Sequence, residues 1–130
     1  MKLTVMNEAV VSLKGPSMVL LVADLAEASA FYESIGFTAE NIGGHIHMQR
    51  EAVTFILHPA RRAEDVRPNS SVEGGLYFDA FCYSDAAGLK QLYEEFRSKG
   101  VEIARGPNWS DGWSEFTIRD NNGYRIAFGG

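Results

Sequence analysis

The chain has 130 residues, of which 45% are hydrophobic and 22% charged, and 12 basic against 17 acidic side chains give a formal net charge of −5. This length suits one domain with its own core, and the ordinary globular composition excludes intrinsic disorder. Residues 1–65 carry five basic and eight acidic groups and residues 66–130 carry seven and nine, so neither half has the positive field that a nucleic-acid binder needs.

The first 15 residues carry no pattern that places them in a helix or a strand. Lys2, Asn7 and Glu8 interrupt the apolar residues there, so the stretch lacks the apolar run of a signal peptide or a membrane-spanning helix. Cys82 is the only cysteine and cannot form an internal disulfide; its place in an apolar stretch is typical of a structural thiol. These features predict a cytoplasmic protein without a membrane segment.

The first half begins with an unbroken apolar run, Met18–Val22, which predicts a buried strand. Asp24 is placed to cap a helix, with Glu27 three residues later, and Gly36 is placed to end that helix in the left-handed conformation. The helix has an apolar stripe made of Leu25, Ala28, Phe31, Tyr32 and Ile35. Three short strands are predicted to follow, near Phe37–Ile42, His45–Arg50 and Ala52–His58.

The same order of features returns in the second half. Leu76–Tyr83 predicts a strand, Asp85 a helix cap and Gly100 the end of the helix, whose apolar stripe is Leu89, Leu92, Tyr93 and Phe96. Strands are predicted near Val101–Arg105, Trp113–Arg119 and Tyr124–Gly129, and an Asn-Gly pair at residues 122 and 123 favours a hairpin between the last two.

An internal repeat of two strand-helix-strand units follows from these patterns, because the two capping aspartates lie 61 residues apart, about half the chain. Each unit exposes a sheet face that must be covered, so the two units should pair. We therefore predict a single α+β domain over residues 1–130. Residues 16–58 and 76–130 form two βαβββ modules, and the polar residues 59–75 form an exposed connector.

Two groups of short motifs point to a family. The first comprises Asp24-Leu25, Phe31-Tyr32 and Gly36-Phe37, and the second runs from Glu115 to Asp120 and on to Gly123. Over residues 17–129 this pattern resembles the vicinal oxygen chelate superfamily of glyoxalase I, extradiol dioxygenases, fosfomycin-resistance transferases and bleomycin-resistance proteins. The resemblance implies two βαβββ modules whose sheets curl into a cup with the helices outside, and a homodimer. It is nearest to the bleomycin-resistance branch.

The resemblance also implies where a metal ion would bind. Metal-dependent members take ligands from the first and last strands of each module, usually His or Gln on the first and Glu on the last. On the first strands these positions are Ser17 in the first module and Phe78 in the second. On the last strands they are Phe55 or Ile56 in the first module, depending on register, and Ala127 in the second. None of these is a usual ligand for a divalent ion, so we predict neither a metal nor a cofactor.

Three histidines leave an alternative open. His45 and His47 share one face of a predicted strand, and His58 closes the next strand. They would allow a relocated metal site in a lyase-, isomerase- or dioxygenase-like enzyme. The other interpretation is that they are ordinary strand and turn residues, since no third donor is fixed by the sequence.

Glu115 is the candidate for acid or base chemistry. Alternation with Phe116 and Ile118, which should face the helix layer, directs Trp113, Glu115 and Thr117 into the cup. A carboxylate among aromatic rings would serve as a general base, would hold the cation of a ligand, or would form a surface salt bridge. We assign no catalytic residue.

Two tryptophans in the turn-rich segment before that strand are typical of a pocket wall, although they could instead close the end of the cup. In bleomycin-resistance proteins a tryptophan before a similar strand lines the drug groove, and that position is Gly112 here, one residue before Trp113. We predict that Trp109 folds over the strand face as a lid and that Arg125 binds a ligand anion or offsets Glu115. The predicted ligand site comprises Trp109, Trp113, Glu115, Phe78, Arg125 and His47.

The sequence therefore predicts a homodimeric, metal-free protein that binds an antibiotic or another planar aromatic small molecule without altering it. The alternative is the enzyme with relocated metal ligands.

Overall fold

A computed structural model describes residues 11–130; the stretch that contains Lys2, Asn7 and Glu8 lies outside the described residues. In chain order the elements are β1 (Met18–Val22), α1 (Leu25–Ser34), β2 (Thr38–Ile42), β3 (His45–Arg50), β4 (Val53–Pro59), β5 (Ala80–Tyr83), α2 (Ala86–Ser98), β6 (Glu102–Asn108), β7 (Glu115–Arg119) and β8 (Arg125–Gly129). Two short 3₁₀ turns lie between β4 and β5. Within residues 11–130, no helix is long and apolar enough to span a membrane.

Each module forms a four-stranded mixed sheet. The strand orders are β1-β4-β3-β2 and β5-β8-β7-β6, so the two sheets have the same topology. In both, the first strand pairs in parallel with the last, and the other pairs are antiparallel. The predicted α+β fold of two βαβββ modules is confirmed.

Local signals set the helix boundaries where the sequence predicts them. The Asp24 carboxylate accepts a hydrogen bond from the backbone N–H of Glu27 at 2.9 Å, and Asp85 accepts one from Gly88 at 2.7 Å. After α1, Gly36 has φ of +96°, a conformation that residues with a Cβ rarely adopt. The caps and this terminating glycine therefore confirm the predicted helix ends.

Both sheets direct one face into a single hydrophobic core, where each helix packs on its own sheet. The core contains Leu20 and Val22 from β1, Phe116 and Ile118 from β7, and Ile126 and Phe128 from β8. Complete burial of such side chains stabilises the fold by about 1.5–3 kcal/mol each. Because side chains alternate along a strand, each sheet has a second face directed away from this core, which we call its outer face.

Strand β1 is buried on one face only, which corrects its interpretation as a fully buried strand. Leu20 and Val22 are buried, but Val19 and Leu21 remain 57% and 40% exposed. An apolar run does not distinguish a strand covered on both faces from one that is covered on one face only.

Polar contacts join the two modules. The Tyr32 hydroxyl on α1 donates to Oδ2 of Asp120 at 2.6 Å, between two buried residues. The Arg50 guanidinium at the end of β3 donates to the Glu95 carboxylate on α2 at 2.9 Å and to the Ile35 carbonyl at 2.8 Å. The hydrogen bond from Arg50 lowers the pKa of Glu95, although this pair is partly exposed to solvent.

Two predicted strands begin at least two residues later than expected. The strand predicted over Leu76–Tyr83 begins at Ala80, because the Asp79 carboxylate accepts hydrogen bonds from the backbone N–H groups of Asn69 and Arg125 and holds the chain in a turn. The strand predicted from Trp113 begins at Glu115, because Ser110 closes a turn by donating its hydroxyl to the Trp113 carbonyl.

Candidate ligand-binding site

Glu115 is the polar centre of a half-buried site on the outer face of the second sheet. The Trp113 indole N–H donates to Oε1 of Glu115 at 2.9 Å, and the Tyr77 hydroxyl donates to Oε2. The hydrogen bond to Glu115, and burial after it, raise the pKa of the Tyr77 phenol. Tyr77 therefore keeps its proton and acts as the donor of this bond.

The two side chains that bond to the carboxylate belong to a row of four neighbouring aromatic rings, and we call Tyr77, Phe78, Phe81 and Trp113 the aromatic cluster. The ring centroids are 4.9 Å apart for Tyr77 and Phe78, 5.4 Å for Phe78 and Phe81, and 6.1 Å for Phe81 and Trp113. A Cβ at Gly129 would lie 2.6 Å from Trp113 Cζ2 and 2.9 Å from Phe81 Cε1. Glycine is thus required at this position for both rings to approach the sheet.

A basic side chain covers the cluster from β6. The guanidinium carbon of Arg105 lies 3.9 Å from the centroid of the Tyr77 ring, a close cation–π contact. Arg105 pairs in register with Thr117, so the two residues share the outer face. Thr117 is nevertheless fully buried, and its Oγ1 has no hydrogen-bond partner among residues 11–130.

The structure brings three of the predicted site residues together, Phe78, Trp113 and Glu115. It places Trp109 elsewhere: the Trp109 ring centroid is 5.7 Å from that of Tyr93 on α2 and 6.5 Å from that of Phe116 in the core. The expectation that Trp109 closes over the site as a lid is wrong, because its ring packs against α2 and against the core side of β7.

Arg125 is also separated from the site. It pairs with Arg119, whereas Glu115 pairs with Gly129, four residues or about 13 Å further along β8. The expectation that Arg125 offsets the charge of Glu115 is therefore wrong. Its role as an anion ligand stays a prediction.

His47 lies on the outer face of the first sheet, not the second. Its ring centroid is 5.2 Å from that of His45, which stacks on His58 at 4.6 Å with an interplanar angle of 9°. Desolvation, with the charges of the two neighbouring rings, lowers the pKa of His45. In the described part of the chain, no three His, Cys, Asp or Glu side chains are arranged to hold a metal ion.

Comparison with known proteins identifies the family. The model of the Glyoxalase/Bleomycin resistance protein/Dioxygenase superfamily matches residues 15–128. The chain belongs to this superfamily. A search of curated proteins finds no match.

Several solved structures share the fold. The chain is 17% identical to a glyoxalase/bleomycin resistance protein/dioxygenase from Alicyclobacillus acidocaldarius, with a TM-score of 0.69 over 87% of each chain. It is 19% identical to a lactoylglutathione lyase from Agrobacterium tumefaciens, with a TM-score of 0.65 over 94% of this chain and 95% of that one. A protein from the mobile metagenome of V. pseudocholerae is 26% identical, with a TM-score of 0.66 over 92% of this chain and 96% of that one.

The metal positions implied by superfamily membership do not fit a divalent ion here. Of the two candidates on β4, Phe55 belongs to the core, so the position on the outer face is that of Ile56. With Ile56, Phe78 and Ala127, three of the four positions carry hydrocarbon side chains, and Ser17 is the only one with a polar atom. These four positions therefore do not offer the three or more donors that a divalent ion needs.

Chelation should accordingly leave the protein unchanged. After dialysis against EDTA we expect the melting temperature to stay within about 1 °C of the untreated protein, because an ion bound only to the folded state would have stabilised it. Differential scanning calorimetry checks this, with buffer dialysis as the control. A lower melting temperature that one specific metal restores would contradict the expectation.

Sequence reasoning missed Tyr77, Phe81 and Arg105. Tyr77 and Phe81 were assigned to one continuous strand, where they carried no distinct role. The available signal was Asp79, because an unpaired carboxylate does not fit inside an apolar strand that is buried by its neighbours. No sequence signal places Arg105 on the Tyr77 ring.

Proposed function

We propose that this protein binds a planar aromatic small molecule on the outer face of its second sheet and does not alter it chemically, as in the sequestration of an antibiotic. The observation that carries the proposal is the aromatic cluster around the hydrogen-bonded carboxylate of Glu115. Ring contacts contribute about 0.5–1.5 kcal/mol each beyond burial, and the carboxylate would orient the ligand.

The exposure of Trp113 supports this role. Trp113 is 45% exposed although its indole N–H bonds to Glu115, so part of its surface remains open to a partner. A titration of intrinsic fluorescence with planar compounds tests the proposal. The Trp109→Phe variant leaves Trp113 as the only tryptophan, and a ligand at the proposed site should change its emission.

A second candidate is a lyase-, isomerase- or dioxygenase-like enzyme with relocated metal ligands. His45, His47 and His58 lie close together and would be its donors, but among residues 11–130 they are not arranged to hold an ion, so their rings would have to turn to bind one. Metal analysis of freshly purified protein separates the two candidates. A stoichiometric ion that is lost from the His47→Ala variant would support the enzyme and contradict the metal-free proposal.

We also propose a homodimer that builds the cup from two chains. Strands β1 and β5 are edge strands of their sheets, and β1 exposes Val19 and Leu21. Pairing across these edges would satisfy their free backbone groups and would bring the outer face that carries His47 beside the face that carries Glu115.

Light scattering at micromolar concentration should give about twice the chain mass of 14.3 kDa. The Leu21→Lys variant should shift the mass toward the monomer without loss of the fold, since lysine on an exposed edge strand opposes pairing. Lys90→Ala, on the surface of α2, is the control. A wild-type mass of 14.3 kDa would contradict the dimer and the shared cup.

A further inference from the structure

A short segment crosses the outer face of the second sheet and fills part of the candidate site. It comprises Leu76–Phe78, and we call it the strap. Its Tyr77 hydroxyl reaches Glu115, its Tyr77 ring lies under Arg105, and its Phe78 ring meets the edge of Phe81.

We infer that the strap is displaceable and that its Tyr77 side chain stands in the place of a hydroxyaryl ligand. The inference rests on the proposed function of the same face. A phenol- or naphthol-like ring would take the position under the Arg105 guanidinium, and its hydroxyl would donate to Oε2 of Glu115. The strap therefore competes with the ligand for one place.

The surrounding charges select a hydroxyl over an ammonium group. Glu115 alone would accept either donor, but Arg105 lies on the Tyr77 ring and would face any cation placed there. Like charges so close repel, whereas a neutral hydroxyl supplies the same hydrogen bond without this cost. Trp113 occupies the other carboxylate oxygen and need not move when the strap does.

The hydroxyl of Thr117 is a second polar group on the same face. Thr117 lies two residues from Glu115 on β7 and is fully buried, yet its hydroxyl is unpaired within residues 11–130. Buried hydroxyl groups normally have a hydrogen-bond partner, and an unpaired one costs free energy. A ligand with a second polar atom on this face would give the Thr117 hydroxyl such a partner.

The strap is anchored at both ends: the Gly75 N–H donates to the Val72 carbonyl at 2.8 Å, and the Phe78 carbonyl accepts from the Asn69 side-chain amide at 3.1 Å. Leu76 is 59% exposed, and Gly74 precedes it with φ of +75°, a conformation favoured by glycine. Beyond the strap, Asp79 is held by Asn69 at 2.7 Å and by Arg125 at 2.8 Å. Leu76 and Tyr77 lie between these anchors, so the Tyr77 side chain can leave Glu115 without loss of the sheet.

Calorimetric titration with 2-naphthol tests the inference, with 2-methoxynaphthalene as a probe that cannot donate a hydrogen bond. Tyr77→Phe keeps the ring but removes the bond that closes the strap. It should bind 2-naphthol roughly three- to tenfold more tightly than the wild type, because a larger fraction of the chain is open. Tyr77→Ala should show at least the same gain.

Tyr93→Phe is the matched control, since Tyr93 lies on α2 against Trp109, on the other side of the sheet. It should bind 2-naphthol as the wild type does. In every variant 2-methoxynaphthalene should bind about tenfold more weakly than 2-naphthol, since it leaves Glu115 without a donor. Circular dichroism verifies that each variant is folded.

The outcomes separate the inference from the proposed function. Suppose that each probe binds the wild type, Tyr77→Phe and Tyr77→Ala with the same affinity. The face then binds planar rings, but the strap inference is wrong. The strap inference is also wrong if 2-naphthol and 2-methoxynaphthalene bind with equal affinity, even where the Tyr77 variants bind more tightly than the wild type. If neither probe binds any folded variant, the proposed function fails and the inference fails with it.

Discussion

Replacement of Asp120 by alanine should lower the free energy of unfolding by about 3–5 kcal/mol. Oδ2 of Asp120 accepts the Tyr32 hydroxyl at 2.6 Å, and Oδ1 accepts the backbone N–H groups of Asn122 at 2.8 Å and Tyr124 at 2.9 Å. Alanine would leave these three donors without their acceptor at a site where Asp120 is 5% exposed. The change would loosen the junction of the modules and the last hairpin together.

Burial raises the pKa of Asp120, while the hydrogen bonds from Tyr32, Asn122 and Tyr124 oppose that shift. The carboxylate is thus retained against a desolvation cost because it organises three donors. Urea denaturation at neutral pH measures the loss, and Asp111→Ala, at an exposed turn position, is the control. A loss below about 1 kcal/mol would show that water or a shifted backbone replaces the carboxylate.

The helices were predictable because their signals are local. Asp24 and Asp85 each bond to a backbone N–H three residues later, and Gly36 and Gly100 satisfy a conformational demand at the next turn. Such interactions depend on neighbours in the chain and not on the rest of the fold. The repeat of these signals was enough to predict both modules and hence the fold.

The start of the second module's first strand was not predictable in this way. Asp79 is held by Asn69, ten residues away, and by Arg125, 46 residues away. These contacts exist only after the sheet has formed, so a pattern that counts apolar residues continued the strand through Tyr77. Tertiary contacts overrode the local preference for an extended chain.

The candidate site was predicted only in part, because only some of its residues are positioned by local geometry. Strand alternation correctly directs Glu115 to the face opposite Phe116, because it depends only on the pleat. Trp109 lies beyond the end of a strand, where alternation no longer applies, and an aromatic ring packs equally well against a helix or in a pocket. Its position against Tyr93 could be known only from the fold.

The two tryptophans now provide a matched test of the proposed site. Trp113→Ala should weaken a planar ligand such as 2-naphthol by roughly tenfold or more, because a ring contact of about 1–2 kcal/mol is lost together with the indole bond that orients Glu115. Trp109→Ala should leave the affinity unchanged. The native rings are similarly exposed, at 45% and 38%, so neither variant opens the main core.

Calorimetry gives the affinities, and the indole N–H resonances give the location. In the wild type, 2-naphthol should shift the resonance of Trp113, whose N–H donates to Glu115, and leave that of Trp109 in place. The reverse pattern would move the site to the helix side of the sheet, near Tyr93. If the folded Trp113→Ala protein binds 2-naphthol as tightly as the wild type, the aromatic cluster is not the ligand site, and Trp113 serves only to hold Glu115 at the start of β7.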